Sequence, residues 1–171
     1  MSLKTSSLLF IAALMVAALA LPARAQVNPR GEASLKLGGG NIKVSYGRPP
    51  LEGRNLLDMI QPGVNWRMGA DNPTTLTTDI PLSVGGTTVP KGKHILLAQF
   101  TGKRSWTLVF SRKSVFEFQE SDKIAEVIGT LVDADEATDR VTISLEGSGK
   151  QGKLILAWGK FRLEAPFSAA N

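Results

Sequence analysis

Apolar and polar residues alternate with a period of two along much of the chain, the pattern of strands that bury one face. Ile42, Val44 and Tyr46 alternate with Lys43 and Ser45. Trp106, Leu108 and Phe110 repeat the pattern, then Val141, Ile143 and Leu145, then Leu154, Leu156 and Trp158. Gly85-Gly86, between Leu82-Ser83-Val84 and Thr87-Thr88-Val89, predicts a two-residue hairpin, because a primed turn needs positive φ at both central positions. Pro90-Lys91-Gly92 turns the chain into the apolar run from Ile95 to Phe100, and Gly102 marks the next hairpin. Asp133 to Asp139 are expected to form the loop of a further hairpin, between Val127–Leu131 and Val141–Leu145. After Trp158 the apolar positions change parity, to Phe161, Leu163 and Ala165, which a bulge at Gly159 would reconcile with one buried face. The one strong helical signal past the N-terminus is short, from about Arg54 to Ile60, and Pro62-Gly63 stops it. These elements predict an all-β, mainly antiparallel fold, a sandwich or partly open barrel with one short helix.

The first 25 residues break the pattern. Lys4 precedes an apolar run from Leu8 to Leu21, and Ala23-Arg24-Ala25 is a small-x-small cleavage site, so a signal-peptide helix is expected over residues 1–25. The run is shorter than the ~20 residues needed to span a bilayer. Cleavage after Ala25 leaves one β-rich domain, residues 26–171, without a membrane span and exported to the periplasm or beyond.

Charge then limits the partners. Lys4 and Arg24 are two of the 20 basic residues, so the exported part carries 18 against 15 acidic ones, and they are scattered singly or in pairs. That is a poor footprint for nucleic acid. The absence of cysteine removes thiol nucleophiles and cysteine-zinc sites, and His94 as the sole histidine removes multi-histidine metal centres. No GxSxG or SxxK is present to supply a serine nucleophile. Gly147 to Lys153 fits the spacing of a phosphate loop, yet strand periodicity follows it where a helix should, so it reads as a hairpin loop. The carboxylates Asp133, Asp135, Glu136 and Asp139 lack the glycine and distal glutamate of a calcium loop and read as a solvated tip. No catalytic set, cofactor or metal site is expected.

What remains is a polar and aromatic stretch: Tyr46-Gly47-Arg48-Pro49-Pro50, Gly53-Arg54, and Trp66 to Thr75. Its arginines either form a fixed corner with Asp71 or present planar forks to a carboxylate, phosphate or sugar. The candidate ligand-binding residues are Arg48, Arg54, Trp66, Arg67, Asp71 and His94, the last read as a surface or strand-end residue with ligand contact as the alternative.

The same stretch carries a resemblance. Tyr46-Gly-Arg48-Pro49, Gly53-Arg54, Pro62-Gly63-x-x-Trp66-Arg67-x-Gly69-Ala70, Thr74-Thr75, Val84-Gly85-Gly86, Val89-Pro90-x-Gly92, Trp106-Thr107 and Trp158-Gly159 together resemble the bacterial exported domain of unknown function 2911, over roughly residues 35–166. That resemblance implies no reaction, cofactor or partner. The leading expectation is a non-catalytic binding module of the cell envelope, for a small molecule, a glycan or an envelope protein. The alternatives are an assembly protein that pairs through a sheet edge and a hydrolase of envelope material acting through Asp71 or His94.

Overall fold

Short connections between alternating segments allow only antiparallel neighbours, and every strand pairing in the computed structural model is antiparallel. The structure describes residues 27–171 except positions 60 and 103. The expected signal segment, and Ile60 at the expected end of the helix, lie outside the described residues. The strands are β1 (Arg30–Leu37), β2 (Gly40–Gly47), β3 (Asn65–Trp66), β4 (Thr75–Thr78), β5 (Leu82–Val84), β6 (Thr87–Val89), β7 (Gly92–Phe100), β8 (Ser105–Ser111), β9 (Lys123–Ser148) and β10 (Gln151–Ala169). One helical turn, α1 (Leu56–Met59), lies between β2 and β3 and buries Leu56. None of the described helices is long and apolar enough to cross a membrane.

The strands form one open sheet in the order β1-β2-β4-β7-β8-β9-β10-β5-β6, with β3 paired to β7. The fold is therefore all-β and mostly antiparallel, with one short helix and an unclosed sheet. Apolar positions of β2, β4, β7 and β8 share one core with those of β9 and β10, among them Ile42, Val44, Leu76, Leu96, Leu108, Ile143, Leu156 and Trp158.

The long β9–β10 ribbon lets one sheet cover itself. The first part of β9 pairs with β8, from Lys123 to Thr130, and the remainder pairs with β10 out to Ser148. The far part of β9 also reaches β2, where the Tyr46 hydroxyl donates to the Ile143 carbonyl at 3.2 Å. The expected hairpin loop at Asp133–Asp139 is not one: this segment belongs to the continuous strand β9. Its pairing partners explain the difference. Asp133 pairs with Phe161 and Thr138 with Gly159, so the β9 side has more residues than the β10 side. The surplus is an irregular bulge that bends the ribbon, and its carboxylates project from a bend.

The expected bulge at Gly159 is present, with φ +61° and register shifts on both sides. It resets parity: Leu154, Leu156 and Trp158 are buried before it, and Leu163, Ala165 and Phe167 after it. Gly85-Gly86 forms the β5–β6 turn with φ of 56° and 83°. The loop-like motif at Gly147–Lys153 is the β9–β10 hairpin end, where Ser148 pairs with Gln151.

Candidate functional site

β3 and β4 lie end to end along the same edge of β7. Trp66 pairs with Ala98 and Thr75 pairs with Ile95, so Arg67–Thr74 must loop out while β7 advances only past Leu97 and Leu96. The loop is tied down from several sides. Thr74 Oγ1 donates to the Met68 carbonyl at 3.2 Å, and Arg67 Nη1 donates to the Asp71 carbonyl at 2.7 Å. The Asn28 amide donates to Asp71 Oδ2 at 2.8 Å. Met68 and Asp71 both take left-handed backbone, at φ 57° and 59°, a strain of about 1–3 kcal/mol each that only a determined surrounding structure sustains.

The end of β2 supplies part of that surrounding. A Cβ at Gly47 would collide with the Ala70 backbone, and one at Gly69 would come within 2.7 Å of the Gly47 carbonyl oxygen. The Tyr-Gly-Arg-Pro and Trp-Arg-x-Gly-Ala motifs, some 20 residues apart in sequence, thus meet backbone to backbone.

The six residues singled out from sequence fall into four places. Arg48 sits at a corner between β2 and β9: its Nε donates to the Val141 carbonyl and its Nη2 to Thr142 Oγ1, each at 3.2 Å. Arg54 donates from Nε to the Leu51 carbonyl at 3.0 Å and from Nη2 to the Pro50 carbonyl, with its guanidinium 5.2 Å from the Trp158 ring centroid. Trp66 stacks on the same indole, with centroids 5.7 Å apart and planes 12° from parallel. The buried Trp158 N–H has no hydrogen-bond partner among the described residues, so this stack is held by π contacts and apolar burial. Arg67 and Asp71 share the strained loop, and the Arg67 guanidinium lies 4.5 Å from the ring centroid of Phe116. His94 stands apart from Arg48, Arg54 and Arg67. It is buried, contrary to the surface reading, because its position has the core parity of Leu96 and Ala98. Its Nε2 lies 2.8 Å from the Pro90 carbonyl oxygen and its ring centroid 6.2 Å from that of Phe110.

The opposite face of the same strands forms a broad trough of about 980 Å³. A cross-strand row of Glu32, Ser45, Thr75, Ile95 and Ser111 runs through it in register, spanning about 19 Å over four interstrand steps. The neighbouring row places Lys43, Thr77 and Lys93 side by side, which separates the two lysine backbones by about 10 Å. Arg30 and Arg112 also border the trough, and Glu32 is the one carboxylate among the described residues that line it. Arg30 fixes the rim: it donates to Ser45 Oγ at 3.1 Å and to the Asn72 carbonyl at 3.3 Å. Lys43 pairs with Glu32 at 2.8 Å. Lys93 and Arg112 have no ion pair among the described residues.

Of the six residues singled out from sequence, His94 alone contributes to the lining of this face, and sequence reasoning missed the rest. The signal was available in the polar half of each strand alternation, Lys43 and Ser45 on β2 and Thr75 and Thr77 on β4, but only strand order brings those positions together.

A loop from Arg112 to Asp122 borders the trough. Lys123 Nζ lies 2.7 Å from Glu120 Oε2 and 2.8 Å from Glu126 Oε2. The hydrogen bond from Lys123 lowers the Glu120 pKa, and the bonds to Glu120 and then Glu126 raise that of Lys123. No group of three or more Asp, Glu, His or Cys among the described residues is arranged to hold a metal ion.

The family model of a protein of unknown function, DUF2911, matches residues 28–167 of this chain. Neither the curated proteins nor the solved structures yield a match.

Proposed function

Since the chain belongs to the DUF2911 family, we propose that this member is a non-catalytic binding domain of the cell envelope, which takes an extended anionic ligand on the outer face of its sheet. The observation that carries the reading is the charge of the trough: Arg30, Lys43, Lys93 and Arg112 face one carboxylate, Glu32. Glu32 already pairs with Lys43, which leaves Arg30, Lys93 and Arg112 without an ion pair among the described residues, and an anion laid along the trough supplies the missing countercharge. Hydroxyls from Ser45, Thr75 and Thr77 line the same surface and suit a ligand rich in oxygen atoms. The N-terminal signal pattern supports an exported setting.

The alternatives find less support. The groups assigned to a hydrolase have separate protein partners, Asn28 for the Asp71 carboxylate and Pro90 for His94. The sheet path ends at β1, which carries Arg30, Glu32 and Lys36, and at the three-residue β6. Charged and very short edges discourage strand addition.

Calorimetric titration with tripolyphosphate and with acidic oligosaccharides tests the proposal. Binding should weaken as salt rises and disappear in a Lys43→Glu, Lys93→Glu protein that still folds. Absence of binding to any of these anions, or binding that the double substitution leaves intact, would overturn it.

A further inference from the structure

A smaller pocket of about 120 Å³ adjoins the trough, and the two share Pro73. Leu97 lines the pocket and Ile95 the trough, and these two residues follow each other on one face of β7. The pocket is closed by Arg67, Asp71, Ser114, Val115 and Phe116.

Phe116 is 78% exposed. An isolated exposed apolar side chain is ordinary on a protein surface, but this one is held from below. The Arg67 guanidinium lies 4.5 Å from its ring centroid, within cation–π range, and Arg67 is itself fixed by the Asp71 carbonyl at 2.7 Å. The supporting loop is internally bonded as well. Ser114 Oγ donates to Glu117 Oε2 at 3.0 Å, Arg112 Nη1 to the Ser121 carbonyl at 3.2 Å, and the Gln119 amide to Asp122 Oδ2 at 3.0 Å. An aromatic face is thus presented to solvent at the end of a cationic, hydroxyl-lined trough, with little conformational freedom left to lose on binding.

We infer that Phe116 is the stacking platform for one ring of an acidic oligosaccharide whose charged groups lie along Lys93 and Lys43. This inference rests on the anionic-ligand reading above and narrows it. The apolar C–H face of a pyranose covers an aromatic ring, while its equatorial hydroxyls and carboxylate point outward to polar partners. An acidic peptide has the charge without the ring face. Lys93 and Leu97 are four strand residues apart, about 13 Å, so a single sugar does not reach both ends and the ligand must be an oligomer.

The test compares galacturonic acid and its dimer, trimer and tetramer with hexaglutamate and tripolyphosphate, using calorimetry and the NMR spectrum of each sugar. The trimer and tetramer should bind more tightly than the monomer, and their C–H protons should shift upfield under the aromatic ring current. Phe116→Ala should weaken the tetramer about tenfold and leave hexaglutamate and tripolyphosphate unchanged, whereas Phe116→Tyr should restore the tetramer. If Phe116→Ala leaves the tetramer unaffected while Lys93→Ala weakens it, the platform is wrong and the trough stands. Equal losses for tetramer and hexaglutamate would assign Phe116 a structural role and overturn the inference. Binding of hexaglutamate without the sugars would overturn it in favour of an acidic peptide. Failure of every anion to bind would overturn the trough reading and the platform with it.

Discussion

Two cationic regions of this molecule differ in what surrounds their charges. At the corner between β2 and β9, Arg48 gives its Nε and Nη2 hydrogen atoms to Val141 and Thr142, and Arg140 Nη1 returns a bond of 3.1 Å to the Arg48 carbonyl. On the outer sheet face, Lys93 is exposed and has no ion pair among the described residues. A part-buried guanidinium that ties the end of β2 to the Val141 carbonyl and the Thr142 hydroxyl of β9 holds the fold. An exposed ammonium that keeps its hydration and its charge remains available to a ligand. The more conspicuous arginine motif is therefore the poorer candidate for recognition, and the plain alternation of lysine with apolar residues the better one.

The comparison can be broken most directly at the corner. Arg48→Ala should destabilise the protein by about 2–3 kcal/mol, since it strips partners from partly enclosed acceptors, and Arg48→Lys should recover only part of this because an ammonium lacks the planar fork. Urea denaturation measures both. Unchanged stability together with lost anion binding would reverse the roles assigned to the two regions. A smaller effect is expected in the trough: Lys93→Ala should change stability by less than about 0.5 kcal/mol, yet lower tripolyphosphate affinity and flatten its salt dependence. A large loss of stability there would erase the distinction.

The smallest effect concerns the loop that carries Phe116. Its anchor is the ion pair of Glu120 and Lys123. Glu120 has a depressed pKa in the folded protein through its bond with Lys123, so its contribution is complete above the ordinary glutamate range and is lost as pH falls through the lower folded value. Lys123 is raised by its bonds to Glu120 and Glu126, so its contribution is complete below the ordinary lysine range and is lost as pH rises through the higher folded value. Protection of the amides at residues 113–119 against hydrogen exchange, corrected for intrinsic rates, should fall on acidification well before the core unfolds. Lys123→Met should remove that pH dependence, and a wild-type loop insensitive to acid would show that the anchor is irrelevant.

Much of the fold was legible because strand periodicity is local. The Gly85-Gly86 turn and the Gly159 bulge followed from glycine placement and from a change of parity that any reader of the chain can count. The Asp133–Asp139 segment was misread because polar residues in a bent, exposed ribbon resemble a loop tip, and only the pairing of Asp133 with Phe161 separates the two. For His94 the surface reading fails and the strand-end reading does not: it is the third residue of β7, and parity with Leu96 places its side chain on the core face. Of the candidate residues, Arg67 and Asp71 do lie together in one loop, and Arg54 and Trp66 both meet Trp158, a residue more than ninety positions away from either.

By itself the sequence determined the all-β class, the alternation that buries one face of each strand and the glycine positions where the chain turns, because each depends on residues within a few positions of one another. Tertiary structure alone decided that β3 and β4 share an edge of β7, that Gly47 meets Ala70, and that Lys43, Thr77 and Lys93 form one row. Strand order is set by how the whole apolar surface is best buried, and a surface assembled from five strands has no counterpart in any stretch of sequence.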